Sequence, residues 1–114
     1  MLNNLINETE KNLKEILEIC TAQIEKLEPL VKKLWDEMTL AEHTMIDHEE
    51  AQEKAHQELG KTYYTFEDRE LFRLKDLFDE KDTEHSNASA KLYYFEELKD
   101  KCEKALETLF EEIA

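Results

Sequence analysis

Apolar residues recur in alternating steps of three and four along the first half of the chain. This spacing keeps them on one face of an α-helix, and a sustained series of this kind is typical of the seam of a coiled coil. The succession Ile16, Cys20, Ile24 contains two steps of four, which predicts a local stutter that relaxes the supercoil. The seam comprises Leu2, Ile6, Leu13, Ile16, Cys20, Ile24, Leu27, Val31, Leu34, Met38, Ala41 and Met45, and it continues through His48, Gln52 and Ala55 to Leu59.

A second seam follows in the other half of the chain. It comprises Leu71, Leu74, Phe78, Lys81, His85, Ala88, Leu92, Phe95, Leu98, Cys102, Ala105, Leu109 and Ile113. The seam is weakest from Asp82 to Ala90, where small and polar residues predominate. Two structures fit that stretch: a break at which Ser86 or Asn87 caps a further helix, or a thin, closely packed part of one long helix.

Turn signals are scarce, because the 114 residues include one Gly and one Pro. A sandwich or barrel needs a turn every ~8–12 residues, so the chain is predicted to be all-α. Gly60 can end a helix in the left-handed conformation, and Thr65 with Asp68 resembles a capping box. The prediction is one helical domain, residues 1–114, forming a long antiparallel hairpin with arm one at 3–59 and a kink at Pro29, a turn at 60–65 and arm two at 66–113.

Facing residues of an antiparallel hairpin have residue numbers with a constant sum. A fold between Gly60 and Thr62 therefore places Cys20 opposite Cys102. It also places bulky residues opposite small ones, as dense packing requires: Leu34, Trp35 and Met38 face Ala88, Ser89 and Ser86. The alternative fold is a compact three- or four-helix up-down bundle broken at Pro29, Gly60 and Ser86.

Four aromatic residues lie partly outside the seams and are predicted to form a second apolar stripe: Phe72, Tyr93, Tyr94 and Phe110. Two helices alone make a thin core, and large apolar side chains are poor residues to leave in water. We therefore expect either a homodimer that forms a four-helix assembly or a protein partner that covers this stripe.

Cys20 and Cys102 are the only cysteines in the chain. In a reducing cytoplasm they are expected to be small buried apolar residues. They are also candidates for a reversible disulfide that clamps the open end of the hairpin. Neither has the CxxC spacing of a redox or zinc motif.

Histidines supply the only pattern that resembles a metal site. Glu53 and His56 are three residues apart, as are Asp82 and His85, and such pairs hold metal in di-iron helical bundles. Solvated helix faces explain these residues better in so acidic a chain, so we expect no metal and no cofactor. His48, Gln52 and His85 occupy seam positions, where polar residues fix the register and the choice of partner.

The formal net charge is −14 at pH 7, which argues against direct binding to nucleic acid or to an anionic membrane. Residues 41–60 carry one cation and six carboxylates, the densest acidic block in the chain. That block and the aromatic residues near the turn form the predicted partner-binding site: Glu42, Asp47, Glu49, Glu50, Glu53, Glu58, Tyr63, Tyr64 and Phe66.

These features favour a non-catalytic, cytoplasmic interaction protein. No glycine-rich phosphate loop, nucleophile elbow or catalytic triad pattern is present, so enzymatic activity is not expected. The acidic block suits a basic or nucleic-acid-handling protein, which the chain would block or tether. The alternative functions are a small acidic export or assembly chaperone that covers an amphipathic helix of a client protein, a di-metal bundle and a plain structural spacer.

Overall fold

Two long α-helices, packed against each other as a hairpin, account for the structure. The computed structural model describes residues 2–58 and 69–113. Helix α1 spans Leu2–Glu58 and helix α2 spans Arg69–Ile113. The all-helical hairpin predicted from the sequence is therefore confirmed, whereas the predicted turn at 60–65 and the capping pair Thr65 and Asp68 lie outside the described residues.

Both helices run without interruption through the places where a break was conceivable. Pro29 lies inside α1, and α2 continues through Asp82–Ala90. The compact bundle with breaks at Pro29 and Ser86 is therefore wrong. The physical reason is packing: the seam keeps its phase across Pro29, and the small side chain of Ala88 is buried in the seam of α2.

The described residues form two compact units. Unit 1 contains the described residues up to Val31 and those from Ala88 onward, and unit 2 contains the described residues between Lys32 and Asn87. The buried apolar side chains of unit 1 are Cys20, Leu27, Ala88, Cys102 and Leu106, and those of unit 2 are Leu34, Met38, Ala41 and Leu74.

Unit 2 contains the contacts that set the direction of the pairing. The ring of Trp35 lies 5.2 Å from that of His85, centroid to centroid, with an angle of 55° between the planes. Two residues further along α1, a carboxylate oxygen of Glu37 lies 3.0 Å from Nζ of Lys81. From the first contact to the second, the residue number increases on α1 and decreases on α2, so the two helices are antiparallel.

The seam of α1 is more regular than the sequence suggested. Ile16, expected in the seam, is 37% exposed, whereas its neighbour Leu17 is half-buried. Replacing Ile16 by Leu17 restores alternating steps of four and three from Leu13 to Ile24, so the predicted stutter is wrong. In α2, Leu106 is buried beside the half-buried Ala105, and alternating steps of four and three from Phe95 place Lys99 and Leu106, rather than Leu98 and Ala105, in the seam.

The seam has a flank on each side, and each helix therefore has two flanks. The leading flank consists of the residues directly before each seam residue, such as Ile16 before Leu17. The trailing flank consists of the residues directly after each seam residue, such as Trp35 after Leu34. In an antiparallel pair, equivalent flanks of the two helices lie on the same side.

Candidate functional site

The six carboxylates of the acidic block do not share one face of α1. Asp47, Glu49, Glu50, Glu53 and Glu58 are exposed, and Glu42 is half-buried. Because an α-helix has 3.6 residues per turn, Glu49 and Glu53 lie one turn apart on the same side, with Glu50 beside them. Asp47 precedes the seam residue His48 and therefore lies on the opposite, leading flank.

Three of these carboxylates border a groove of about 460 Å³ in unit 2, which we call the acidic groove. Its lining comes from both helices: Ile46, Glu49, Glu50, Gln52 and Glu53 from α1, and Leu71 and Lys75 from α2. Ile46, Glu49, Glu53 and Lys75 belong to the trailing flanks, so the groove also shows that equivalent flanks of the two helices meet on one side. Glu42, Asp47 and Glu58 do not line it.

Negative charge is in excess among the described residues that line the acidic groove, which are three carboxylates and one cation, Lys75. Glu49 and Glu53 are like charges one turn apart, an arrangement that costs a few tenths of a kcal/mol in an isolated helix. Arg73 lies near the start of α2, but its Nη2 donates to Oε1 of Glu70 at 2.5 Å and its Nε donates to Oε2 at 3.0 Å. This pairing raises the pKa of Arg73, so the guanidinium is engaged on its own helix. The groove is therefore suited to a cationic ligand.

Exposed apolar side chains accompany the acidic groove on the trailing flanks of unit 2. They are Trp35, Ile46 and Phe72, exposed by 52%, 37% and 57% respectively. The prediction that Trp35 faces a small residue of the other arm is wrong, because its ring instead lies against that of His85. The sequence signal for this exposed position of Trp35 was that it directly follows the seam residue Leu34. The predicted tip aromatics Tyr63, Tyr64 and Phe66 lie outside the described residues.

The four aromatics of the predicted second stripe are all exposed, but they divide between two sides. Phe72, Tyr93 and Phe110 follow seam residues, whereas Tyr94 precedes one. The hydroxyl of Tyr93 donates to Glu97 at 2.9 Å, and this bond raises the pKa of Tyr93. Charged and polar residues occupy the intervening trailing positions, namely Asp79, Ser86, Asp100 and Glu107. These aromatics are thus separate exposed residues rather than a continuous stripe.

Sequence reasoning missed most of the exposed apolar residues on α1, and it placed two of them, Leu2 and Ile16, in the seam. Leu2, Leu5, Ile16, Ile19, Leu30 and Leu40 are all exposed, and they lie on its leading flank. The sequence signal for these residues is a repeat of 14 residues, in which Leu2 and Leu5 are followed by Ile16 and Ile19. This repeat indicates an exposed flank only when the residues of the seam are known.

Cys20 and Cys102 lie together in the core of unit 1 as free, buried thiols. Burial raises the pKa of Cys20, the neighbouring Cys102 adds to this effect, and Lys99 opposes it. Such a thiol stays protonated at neutral pH and is a poor nucleophile.

No metal-binding group of three or more His, Cys, Asp or Glu residues occurs in the described part of the chain. His85, a member of the candidate di-iron pattern, lies against the ring of Trp35. His48 and Gln52 are half-buried at the seam positions predicted for them. Neither described helix contains an apolar segment long enough to cross a membrane.

Comparisons with protein-family models, with curated proteins and with solved structures found no significant match for this chain.

Proposed function

We propose that this chain is a non-catalytic interaction protein whose acidic groove binds a basic segment of a partner protein, such as one that handles nucleic acid, and thereby blocks or tethers it. The observation that carries this proposal is the groove itself. It combines three carboxylates with the apolar side chains of Ile46 and Leu71 on a helix pair.

The chemistry of the groove suits a Lys- or Arg-rich helix or strand. Its apolar residues can bury the methylene stems of such side chains, while the carboxylates pair with their charged ends. The net charge of −14 extends the attraction beyond the groove and speeds the encounter with a basic surface. A surface that normally contacts phosphates has this complementary character.

A second function, that of a small export or assembly chaperone, is supported by the apolar side chains left exposed on the leading flank of α1. In unit 1 these include Leu5, exposed by 61%, and Ile19, exposed by 59%. In this function the chain covers an amphipathic helix of a client protein.

A cytoplasmic location belongs to the same proposal. Cys20 and Cys102 are free, and a reducing compartment keeps such thiols unpaired. A homodimer is the expected alternative cover for the exposed apolar side chains.

The test compares binding of a synthetic Lys-rich amphipathic peptide to the wild-type protein and to the double variant Glu49→Gln/Glu53→Gln. The matched control is Glu96→Gln/Glu103→Gln, which makes the same change in charge at exposed positions of unit 1. Isothermal titration calorimetry should show affinity falling about tenfold in the groove variant, since each exposed charge pair contributes up to ~1 kcal/mol. The affinity of the control variant for the peptide should fall much less.

Salt provides the second measurement, because exposed charge pairs are screened at high ionic strength. Binding should weaken steeply between about 0.05 and 0.5 M NaCl. Equal losses in the two double variants, or an affinity that salt does not change, would overturn the proposal.

A further inference from the structure

The two flanks of unit 1 differ in charge. Its trailing flank is strongly acidic, with two lysines, Lys11 and Lys14, among the described residues. Its carboxylates are Glu18, Glu25 and Glu28 on α1 and Glu96, Asp100, Glu103 and Glu107 on α2.

The leading flank of unit 1 has the opposite sign. Its described charged residues are three exposed lysines, Lys26, Lys91 and Lys101, and one acid near the end of α2, Glu112. In a chain with a net charge of −14, this is a local reversal.

The same flank also carries the exposed apolar residues of unit 1. These are Leu2, Leu5, Ile16, Ile19 and Leu30 on α1 and Tyr94 on α2. Leu98 and Ala105, at equivalent positions of α2, are half-buried and continue the apolar surface toward the seam. We call this surface the lysine face.

Exposed apolar residues recur on α1 every 14 residues, a spacing that suits contact with a further helix. Leu2 is followed 14 residues later by Ile16, and Ile16 by Leu30; Leu5 is followed in the same way by Ile19. Fourteen residues are two heptads, or about 21 Å of helix. A third helix laid along the lysine face would meet an apolar contact at every second heptad.

We propose that the lysine face of unit 1 docks an amphipathic helix of a partner protein whose apolar stripe is bordered by Asp and Glu. This partner is distinct from the basic segment assigned to the acidic groove; the proposal rests on the second proposed function and specifies the charge of the helix that is bound. The chain thus has two docking surfaces of opposite sign.

Charge distinguishes this occupant from the other candidates. A second copy of the chain, placed face to face, sets Lys26, Lys91 and Lys101 against their own counterparts and brings together two molecules of charge −14. A basic helix meets the same lysines and is repelled. An acidic helix pairs with them while its apolar residues cover Ile16 and Ile19.

The area available is adequate for a specific complex. Six large apolar side chains, each with roughly 100 Å² left to bury, amount to about 600 Å² on this side, close to the ~800 Å² per partner of a standard interface. The lysines bordering them supply the rest.

The test uses two synthetic 28-residue helical peptides with identical leucine seams, one with Glu and the other with Lys at the flanking positions. Calorimetric titration of the full chain should show micromolar binding of the Glu peptide and at least tenfold weaker binding of the Lys peptide. Ile19→Asp and Lys101→Glu should each weaken binding of the Glu peptide at least fivefold.

Tyr93→Asp is the matched control, because it places the same charge at an equally exposed aromatic on the trailing flank of unit 1. It should leave the affinity within a factor of two, and circular dichroism should show equal helicity for every variant. The groove variant Glu49→Gln/Glu53→Gln should still bind the Glu peptide, so this proposal and the proposed function succeed or fail separately.

Three results would overturn the proposal. One is equal or tighter binding of the Lys peptide. Another is a dimer of the wild-type chain, seen by sedimentation, that Ile19→Asp dissolves, which assigns the face to a second copy. The last is that the protein binds vesicles of anionic phospholipid more tightly than the Glu peptide and that Ile19→Asp abolishes this binding to vesicles.

Discussion

Cys20 is a small side chain that is fully buried in the described part of the molecule. Burial raises the pKa of its thiol, the thiol of Cys102 adds to this effect, and Lys99 opposes it. An anion at this position would be desolvated without a partner strong enough to compensate. The seam of unit 1 therefore favours a neutral Cys20.

Unfolding free energy should consequently fall as the pH becomes alkaline. The pKa of Cys20 is raised in the fold, so its contribution to stability is complete below the pKa of the unfolded thiol, about 8.5, and is lost as the pH rises through the folded value. Urea unfolding measured from pH 7 to 10 should show a smaller alkaline loss in Cys20→Ala than in the wild type.

The control is Thr21→Ala, a neighbouring change that removes no titrating group. An alkaline loss as large in Cys20→Ala as in the wild type would show that other groups, such as Lys81 or Tyr93, account for the whole effect.

At the scale of the helix, α1 contains Pro29, although a proline usually ends a helix. Pro29 lacks the amide hydrogen that would bond to the carbonyl of Glu25, and its ring crowds the preceding turn. Its side chain is exposed, while Leu27 on the neighbouring seam position is buried. Packing of the seam thus offsets a local defect on the outer side of the helix.

Pro29→Ala should therefore stabilise the protein. The interior proline costs up to about 3 kcal/mol relative to alanine, and part of this is offset because proline also restricts the unfolded chain. We expect a gain of about 1–3 kcal/mol in urea unfolding, whereas the neighbouring exposed change Glu28→Ala should stay within about 0.5 kcal/mol. A loss of stability in Pro29→Ala would mean that the packing of unit 1 requires the local backbone that proline imposes.

The same helix indicates how far sequence reasoning reaches. Alternating steps of three and four were sufficient to predict two long helices, and the turn signal at Gly60 predicted their antiparallel pairing. They could not choose between Ile16 and Leu17, because both are large and apolar and differ in direction by only 100° around the helix. The choice decides which residues flank the seam. For this reason the lysine face could not be recognised.

At the scale of the whole chain, the pairing brings together two cysteines that are distant in sequence. Cys20 and Cys102 belong to different helices and share the core of unit 1. A disulfide between them would close a loop of about 82 residues, worth up to ~4–5 kcal/mol in the chain-entropy model.

Oxidation of the folded protein with oxidised glutathione should therefore produce an intramolecular disulfide. Two exchange steps transfer the bond to the protein and release two molecules of reduced glutathione. Mass spectrometry should show a loss of about 2 Da, one from each thiol hydrogen, and the urea midpoint should rise, then return on reduction. Cys102→Ser should show neither change, and disulfide-linked dimers as the main product would contradict the pairing.

Trp35 is the only tryptophan in the chain, and it lies at the surface against His85 of the facing helix. Its indole emission is therefore an intrinsic optical probe of unit 2. Separation of the helices should shift that emission to longer wavelengths, and a ligand that covers the trailing flank should shift it to shorter ones. Unlabelled protein at nanomolar concentration is thus sufficient to follow both events in real time.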